Sequence, residues 1–353
     1  AFMMIRPMSI RFGIRLPPCE PPRQVAELAR AAEAGGFDDI WVPDSQILAG
    51  VLLDPYITLG VCADMTRKAQ LGVGVANPFT RHPAATAASI LSLDEHSGGR
   101  AILGMGAGGS ALTTIGQREE HLRGIHFSRR EATRDAIVLL KDLFSGKEIE
   151  FDGRPVRLKR ALRNIPIHLA ATGPKMLRLA GAVADGVIIQ VGFHPGPMAF
   201  AIEQVRQGAE EAGRPFDEIE IICSAFTSIH RDRALAVRRI KPVVAWLYAA
   251  APHALDLAGV SYSRRLPGRP IYPDISHPYD HEDAMREAET FVSDEAADKL
   301  ALVGTPEEAV DRLKALAAEV RIDRFFLRNF PTFELPRDLV RDMSEVVIPG
   351  FRR

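Results

Sequence analysis

The sequence predicts an α/β fold, a (β/α)8 TIM barrel with insertions after its fourth and seventh strands. Three observations predict it. Short apolar runs alternate with runs of helical periodicity eight times along the chain, the rhythm of parallel strands with crossover helices. The turns from helix back to strand are short, and most helices stop at Gly or Asp. Two consecutive units between Gly74 and Gly109 end their strands in small residues, at the strand ends where α/β proteins hold ligands. No composition shift divides the 353 residues, so residues 1–353 read as a single barrel domain. Its core spans about 8–345, with an insertion at about 243–293.

The units follow in order. Ser9 to Leu16 is the first strand, and Gln24 to Ala34 a helix with Val25, Leu28, Ala29 and Ala32 on one face, stopped by Gly35 and Gly36. Asp39 to Val42 is the second strand, ending in Pro43, Asp44 and Ser45, with a helix from Asp54 to Ala63 behind it. Ala69 to Ala76 is the third, an alanine-rich helix runs from Arg81 to His96, and Arg100 to Met105 is the fourth, broken by glycines 104, 106, 108 and 109. Ser110 to Ser128 reads as irregular and polar; Arg129 to Phe144 is a helix, and Ile149 to Leu158 a small hairpin centred on Asp152 and Gly153. Ile165 to Ala171, Gly186 to Val191 and Ile219 to Phe226 are the fifth, sixth and seventh strands, with helices from Lys175 to Val183, from Pro197 to Ala212 and beginning at Asp232 to Lys241. Val243 to Ser293 reads as irregular. A last amphipathic helix, Thr305 to Ala318, starts with Thr305 as N-cap and leads to the eighth strand, Arg324 to Leu327.

Composition excludes several classes. A net charge of −1 offers no basic field for nucleic acid. No apolar run has the length of a transmembrane helix, and Ala1 to Pro7 lack the pattern of a signal peptide. Cys19, Cys62 and Cys223 lie far apart without metal-ligand spacing, and the histidines form no ligand pattern, so no metal is assigned. A reducing, cytoplasmic setting is the expectation.

Gly104, Gly106 and Gly109 satisfy G-x-G-x-x-G after a strand, which raises an NAD(P)-dependent Rossmann dehydrogenase as an alternative. The context argues against it, because this is the fourth strand and no acidic residue closes a following strand about 20 residues on. Two other readings remain: glycines that bend a barrel strand, or glycines that let a flat ring lie against the backbone. Ala171, Thr172, Gly173 and Pro174 connect the fifth strand to a helix N-terminus, with Lys175 beside them, and could hold a phosphate. The same residues also suit an ordinary turn with Thr172 as N-cap. Asp44 could accept hydrogen bonds from a ligand, cap a helix or pair with Arg81. Arg81 and His82 could brace the third helix. His194, after the sixth strand, is a candidate acid or base, while His168, inside a strand, reads as a core residue. Tyr262, Arg264 and Arg265 could meet an anionic or aromatic substrate, with solvation as their ordinary role.

Asn77-Pro78-Phe79-Thr80-Arg81-His82-Pro83, then Leu93 to Arg100 and Leu103-Gly104-Met105-Gly106-Ala107-Gly108, resemble the bacterial luciferase-like superfamily, closest to the branch of methylenetetrahydromethanopterin reductase. Ala170 to Lys175, Ala184-Asp185-Gly186, His194-Pro195 and Gly304 to Glu308 extend the match over most of the chain, outside 243–293. The resemblance implies a flavin- or F420-dependent oxidoreductase acting on a small organic substrate, by hydride transfer or monooxygenation, with F420 or FMN at the barrel mouth. It implies a cis peptide at Gly74-Val75 backing the ring. It also implies cofactor contacts from Asp44, Asn77 and Gly108, with Gly106 on the same shelf, and a phosphate loop at Thr172 and Gly173. Asp44, Arg81 and His194 are the catalytic candidates. A homodimer is implied as well, and for a monooxygenase a separate reductase supplying reduced cofactor. Ser45 stands where F420 reductases commonly carry His, and Gly109 where they carry an acid. A non-catalytic cofactor-binding protein is the remaining alternative.

Overall fold

The computed structural model describes residues 10–45, 47–48, 51–114, 128–151, 153–159, 163–262, 281–331 and 333–353. Strands β1 (Arg11–Arg15), β2 (Asp39–Val42), β3 (Gln70–Ala76) and β4 (Ala101–Met105) are followed by a hairpin of β5 (Ile149–Phe151) and β6 (Arg154–Val156). Then come β7 (Ile167–Ala171), β8 (Gly186–Ile189), β9 (Glu220–Ile229), β10 (Leu302–Gly304) and β11 (Arg324–Asn329). Eight of them close into a parallel ring, β1-β2-β3-β4-β7-β8-β9-β11, because β11 pairs with both β9 and β1. The expected TIM barrel is therefore formed, with β5–β6 as the expected hairpin.

Alternation along each strand divides the molecule into two cores. Outward residues such as Phe12, Ile14, Leu71, Leu103 and Phe325 join the helices in one apolar shell. Inward residues Trp41, Ile102, Ile188, Ile222 and Phe326 fill the barrel. Trp41 occupies space that side chains at Gly13, Gly72 and Gly74 would need; a Cβ at Gly72 would come within 2.4 Å of its ring. Below Trp41, at the N-terminal ends of the strands, the interior is ionic. Arg324, 1% exposed, contacts Asp39 at 3.0 Å and Glu220 at 2.9 Å. Its other amino group donates to Gln70, which also accepts from Arg11. His168 lies 3.3 Å from Glu220, and burial together with the Arg324 charge brings its pKa down to about 3, so it is a neutral core residue at physiological pH. A buried charge is tolerable only when paired in this way.

Three local expectations are corrected. The helix beginning after Asp232 continues through Pro242 to Ala250. One proline removes one backbone bond, while burial of Val243, Val244, Leu247 and Tyr248 favours continuing the helix. The segment expected to be irregular also holds helices Pro252–Leu257 and His281–Glu289. A ninth strand, β10, adds to the C-terminal half of β9 at Thr227 to Ile229. The chain ends in a further helical run from Arg337 to Arg352, buried through Leu339, Val340, Met343, Val347 and Ile348.

Candidate active site

The closed barrel brings the C-terminal ends of all eight strands to one mouth. Asp44, just past β2, is completely buried. Burial raises its carboxyl pKa to about 6, against the pull of Arg81 and with a smaller push from Asp54. Arg81 forms its ion pair with Asp54 at 2.7 Å and lies over the Tyr56 ring at 4.6 Å. Asp54 in turn caps the helix Pro55–Met65. Tyr56 was not anticipated. Its phenol is pushed above the ordinary range by burial first and by Asp44 next, which puts a second proton-bearing group beside the acid. Nothing in the local pattern singles it out, since it is one residue of the first turn of an ordinary helix.

Beside this cluster the Gly74–Val75 peptide is cis, and the β3–β4 register shifts between Val73 and Ala76. The shift turns Val75 toward β4 and explains the glycines there. A Cβ at Gly104 would fall 2.8 Å from Val75 Cγ1 and 2.5 Å from the Val73 carbonyl; one at Gly106 would fall 2.8 Å from Val75 Cγ2. The space directly beside Gly104 and Gly106 is taken by the Val75 side chain, which accounts for the glycines there. Gly108 is required for a different reason: its φ is +70°, with Asn77 and Phe79 close by. A short helix, Gly109–Thr114, follows where irregular chain was expected.

Asn77 is 2% exposed. Its Oδ1 accepts from the Phe79 and Thr80 amides at 3.0 Å each, and its Nδ2 donates to the Thr80 hydroxyl. It holds the turn that carries Arg81. His82 caps the helix Pro83–Ser97 by accepting from the Ala84 amide. On the far side of the mouth, β7 ends at Ala171, Thr172 and Gly173. The N-cap is Gly173, not Thr172, and no side chain caps the helix Pro174–Val183. A Cβ at Gly173 would meet nothing within 4 Å. That open, uncapped helix start, with Pro174 at its first position, suits an oxyanion.

His194, expected as an acid or base, is used locally as a helix cap. It caps the helix Pro195–Glu211 by accepting from the Gly196 amide at 3.2 Å. Its pKa is lowered by burial and by Lys299. Tyr262 donates to the Pro252 carbonyl and packs on Tyr248. Arg264 and Arg265 lie outside the described residues.

Comparison with known proteins agrees with this geometry. The family model described as luciferase-like monooxygenase matches residues 7–324. The 5,10-methylenetetrahydromethanopterin reductase of Methanolobus tindarius is 34% identical over 312 residues, 86% of this chain and 90% of that one. The F420-dependent glucose-6-phosphate dehydrogenase of Nakamurella multipartita is 30% identical over 251 residues, 66% of this chain and 71% of its own length. The structure of the coenzyme F420 dependent tetrahydromethanopterin reductase from Methanopyrus kandleri matches with a TM-score of 0.77 at 27% identity, covering 97% of this chain and 99% of that one. A Rossmann dehydrogenase is thereby set aside, and the chain belongs to the bacterial luciferase-like family of barrel oxidoreductases.

Proposed function

We propose that the protein is an F420-dependent oxidoreductase that transfers a hydride to or from a small organic substrate at the C-terminal mouth of the barrel. The observation that carries this reading is the arrangement around Asp44. A fully buried carboxyl with its pKa near 6 stands beside the cis Gly74–Val75 bulge. An open helix N-terminus at Gly173 lies across the mouth. These residues fit a ring that bears hydrogen-bond donors and a side chain that bears phosphate. Asp44, Val75 and Gly108 would face the ring, and Ala171, Thr172, Gly173 and Pro174 the phosphate. Bound there, the deazaflavin supplies the hydride chemistry.

The chain's own contribution is placement and proton handling. Asp44, poised close to neutrality, accepts a proton or a hydrogen bond, with Tyr56 beside it and Arg81 holding the local charge in balance. Asn77 keeps Arg81 in place through its turn. F420 is favoured over FMN because relatives and solved structures of higher identity name F420, the glucose-6-phosphate dehydrogenase and the Methanopyrus kandleri reductase among them, whereas FMN is named for structures at 17–19% identity. Ser45 and Gly109, in place of the His and acid of the reductase branch, point away from methanopterin as the substrate. We also propose a cytoplasmic homodimer, supported by the exposed Leu53 and Ile57 at the helix Pro55–Met65. If FMN were the cofactor, a separate reductase would supply its reduced form.

The test is the absorbance spectrum and mass of the small molecule that co-purifies, with titration of F420 and FMN into stripped protein. Saturable F420 binding together with substrate-dependent bleaching supports the reading. Binding without turnover would favour a cofactor-binding protein instead, and affinity for neither cofactor would refute both.

A further inference from the structure

We propose that Gln190 and Ser224 form a neutral hydrogen-bonding pair in the floor of the barrel mouth and select an uncharged substrate that presents a hydroxyl, carbonyl or amide group. The assignment rests on the active-site reading above and names the substrate class of that site.

Strand alternation decides where these side chains go. On β8, Val187 and Ile189 join the outer shell, as does Val191 just beyond the strand, while Ile188 lies inside the barrel. Gln190 therefore points inward. The ladder continues past the end of β8, because the Gln190 backbone N–H donates to the Ala171 carbonyl at 3.0 Å. On β9, Cys223 and Ala225 face the outer shell and Ile222 the interior, which turns Ser224 inward. Ser224 pairs with Phe326, whose ring packs on Trp41 with centroids 5.3 Å apart. Ile188 pairs with Ile222 and Ile189 with Cys223. One further step along both strands sets Gln190 beside Ser224, with their backbones about 5 Å apart.

Ser224 is 2% exposed, and its hydroxyl has no hydrogen-bond partner among the described residues. Gln190 is half-buried, and its side-chain amide makes no hydrogen bond to a described residue. Buried polar groups are ordinarily bonded, so a hydroxyl kept without a protein partner points to a ligand that completes it. The floor around the pair is apolar, built from Trp41, Ile102, Ile188, Ile222 and Phe326. Both side chains donate and accept, and neither carries charge. They complement an uncharged oxygen or amide, whereas a carboxylate would give up its hydration for two neutral partners at a far greater cost. The proposed cofactor contacts lie on β2, β3, β4 and β7. A substrate between the ring and the β8–β9 sector would rest its apolar body on the floor and hang its polar group on Gln190 and Ser224.

The test is saturation-transfer NMR titration of benzamide, benzyl alcohol, benzoate and toluene into protein loaded with F420 and into stripped protein. Benzamide and benzyl alcohol should bind the loaded wild type about tenfold or more tightly than toluene. In Gln190→Leu and in Ser224→Ala that preference should fall to about threefold or less. Toluene affinity should stay unchanged, and the affinity of each variant for F420 should stay within about twofold of wild type. Ser224→Ala should melt no lower than wild type, because the hydroxyl it removes has no partner among the described residues. It carries the test if Gln190→Leu does not fold. Toluene binding as tightly as the two neutral polar probes, benzoate binding tightest, no saturable binding of any probe, or an unchanged preference in either folded variant overturns the pair. The cofactor reading is scored separately by F420 and FMN titration. If neither cofactor binds but the stripped protein holds benzamide through Gln190 and Ser224, the cofactor reading fails and the pair stands.

Discussion

Asp44→Asn tests the central residue through stability as well as activity. Asp44 is completely buried, and its pKa is raised from 3.8 to about 6, chiefly by burial. A folded-state value above the unfolded one means that protonation stabilises the fold. That contribution is complete below pH 3.8 and is lost as pH rises through about 6. A rise of about two pH units corresponds to about 3 kcal/mol at alkaline pH. Asparagine keeps the shape and never ionises, so in the stripped protein the variant should be the more stable one at pH 8 by about 3 kcal/mol. Roughly half of that difference should be present at about pH 5. Urea unfolding at the two pH values measures it. The same substitution should weaken F420 binding or slow hydride transfer by about tenfold or more. A variant that is less stable at both pH values, or whose advantage does not grow between them, would refute the claim that Asp44 is an ionisable group held in place at a cost to the fold.

Four further outcomes are expected. Gly173→Ala should leave the melting curve unchanged, because its Cβ meets nothing, yet weaken phosphate-bearing cofactors about tenfold by filling the space above the helix start. Gly104→Ala should cost about 1–3 kcal/mol in urea unfolding, since its Cβ strikes the Val73 carbonyl and Val75. Arg324→Met should destabilise by about 3–5 kcal/mol, because it leaves Asp39 and Glu220 buried with less compensation. His194→Ala should cost about 1 kcal/mol through the lost cap, while cofactor affinity, measured by titration, stays at the wild-type value.

Much of the architecture was legible because its signals are local. The alternation of Phe12, Ile14 and Leu16 marks a strand, and Thr305 with Glu308 marks a helix start that the structure completes as a reciprocal cap. What escaped depends on contacts distant in sequence. Pro242 reads as a break until the burial of Val243, Val244 and Leu247 against the barrel is known. β10 is three residues long and is a strand only because β9 offers its edge. The candidate site divides in the same way. Asp44, the cis Gly74–Val75 peptide and the Gly173 loop sit where strand ends and family resemblance put them. His194 looked equally well placed, but a histidine before Pro-Gly at a helix start is better used on the backbone amide it caps.

The sequence by itself determined a chain of eight β/α units with small residues at the strand ends, because period, turn chemistry and capping act within a few residues. Only the tertiary structure decided what fills the space above Gly104 and Gly106, since Val75 reaches them through the β3–β4 register shift. It alone set Tyr56 beside Asp44. It alone brought Arg11 and Arg324, 313 positions apart in the chain, to the same acceptor, Gln70. Their adjacency exists only because the last strand of the ring closes against the first.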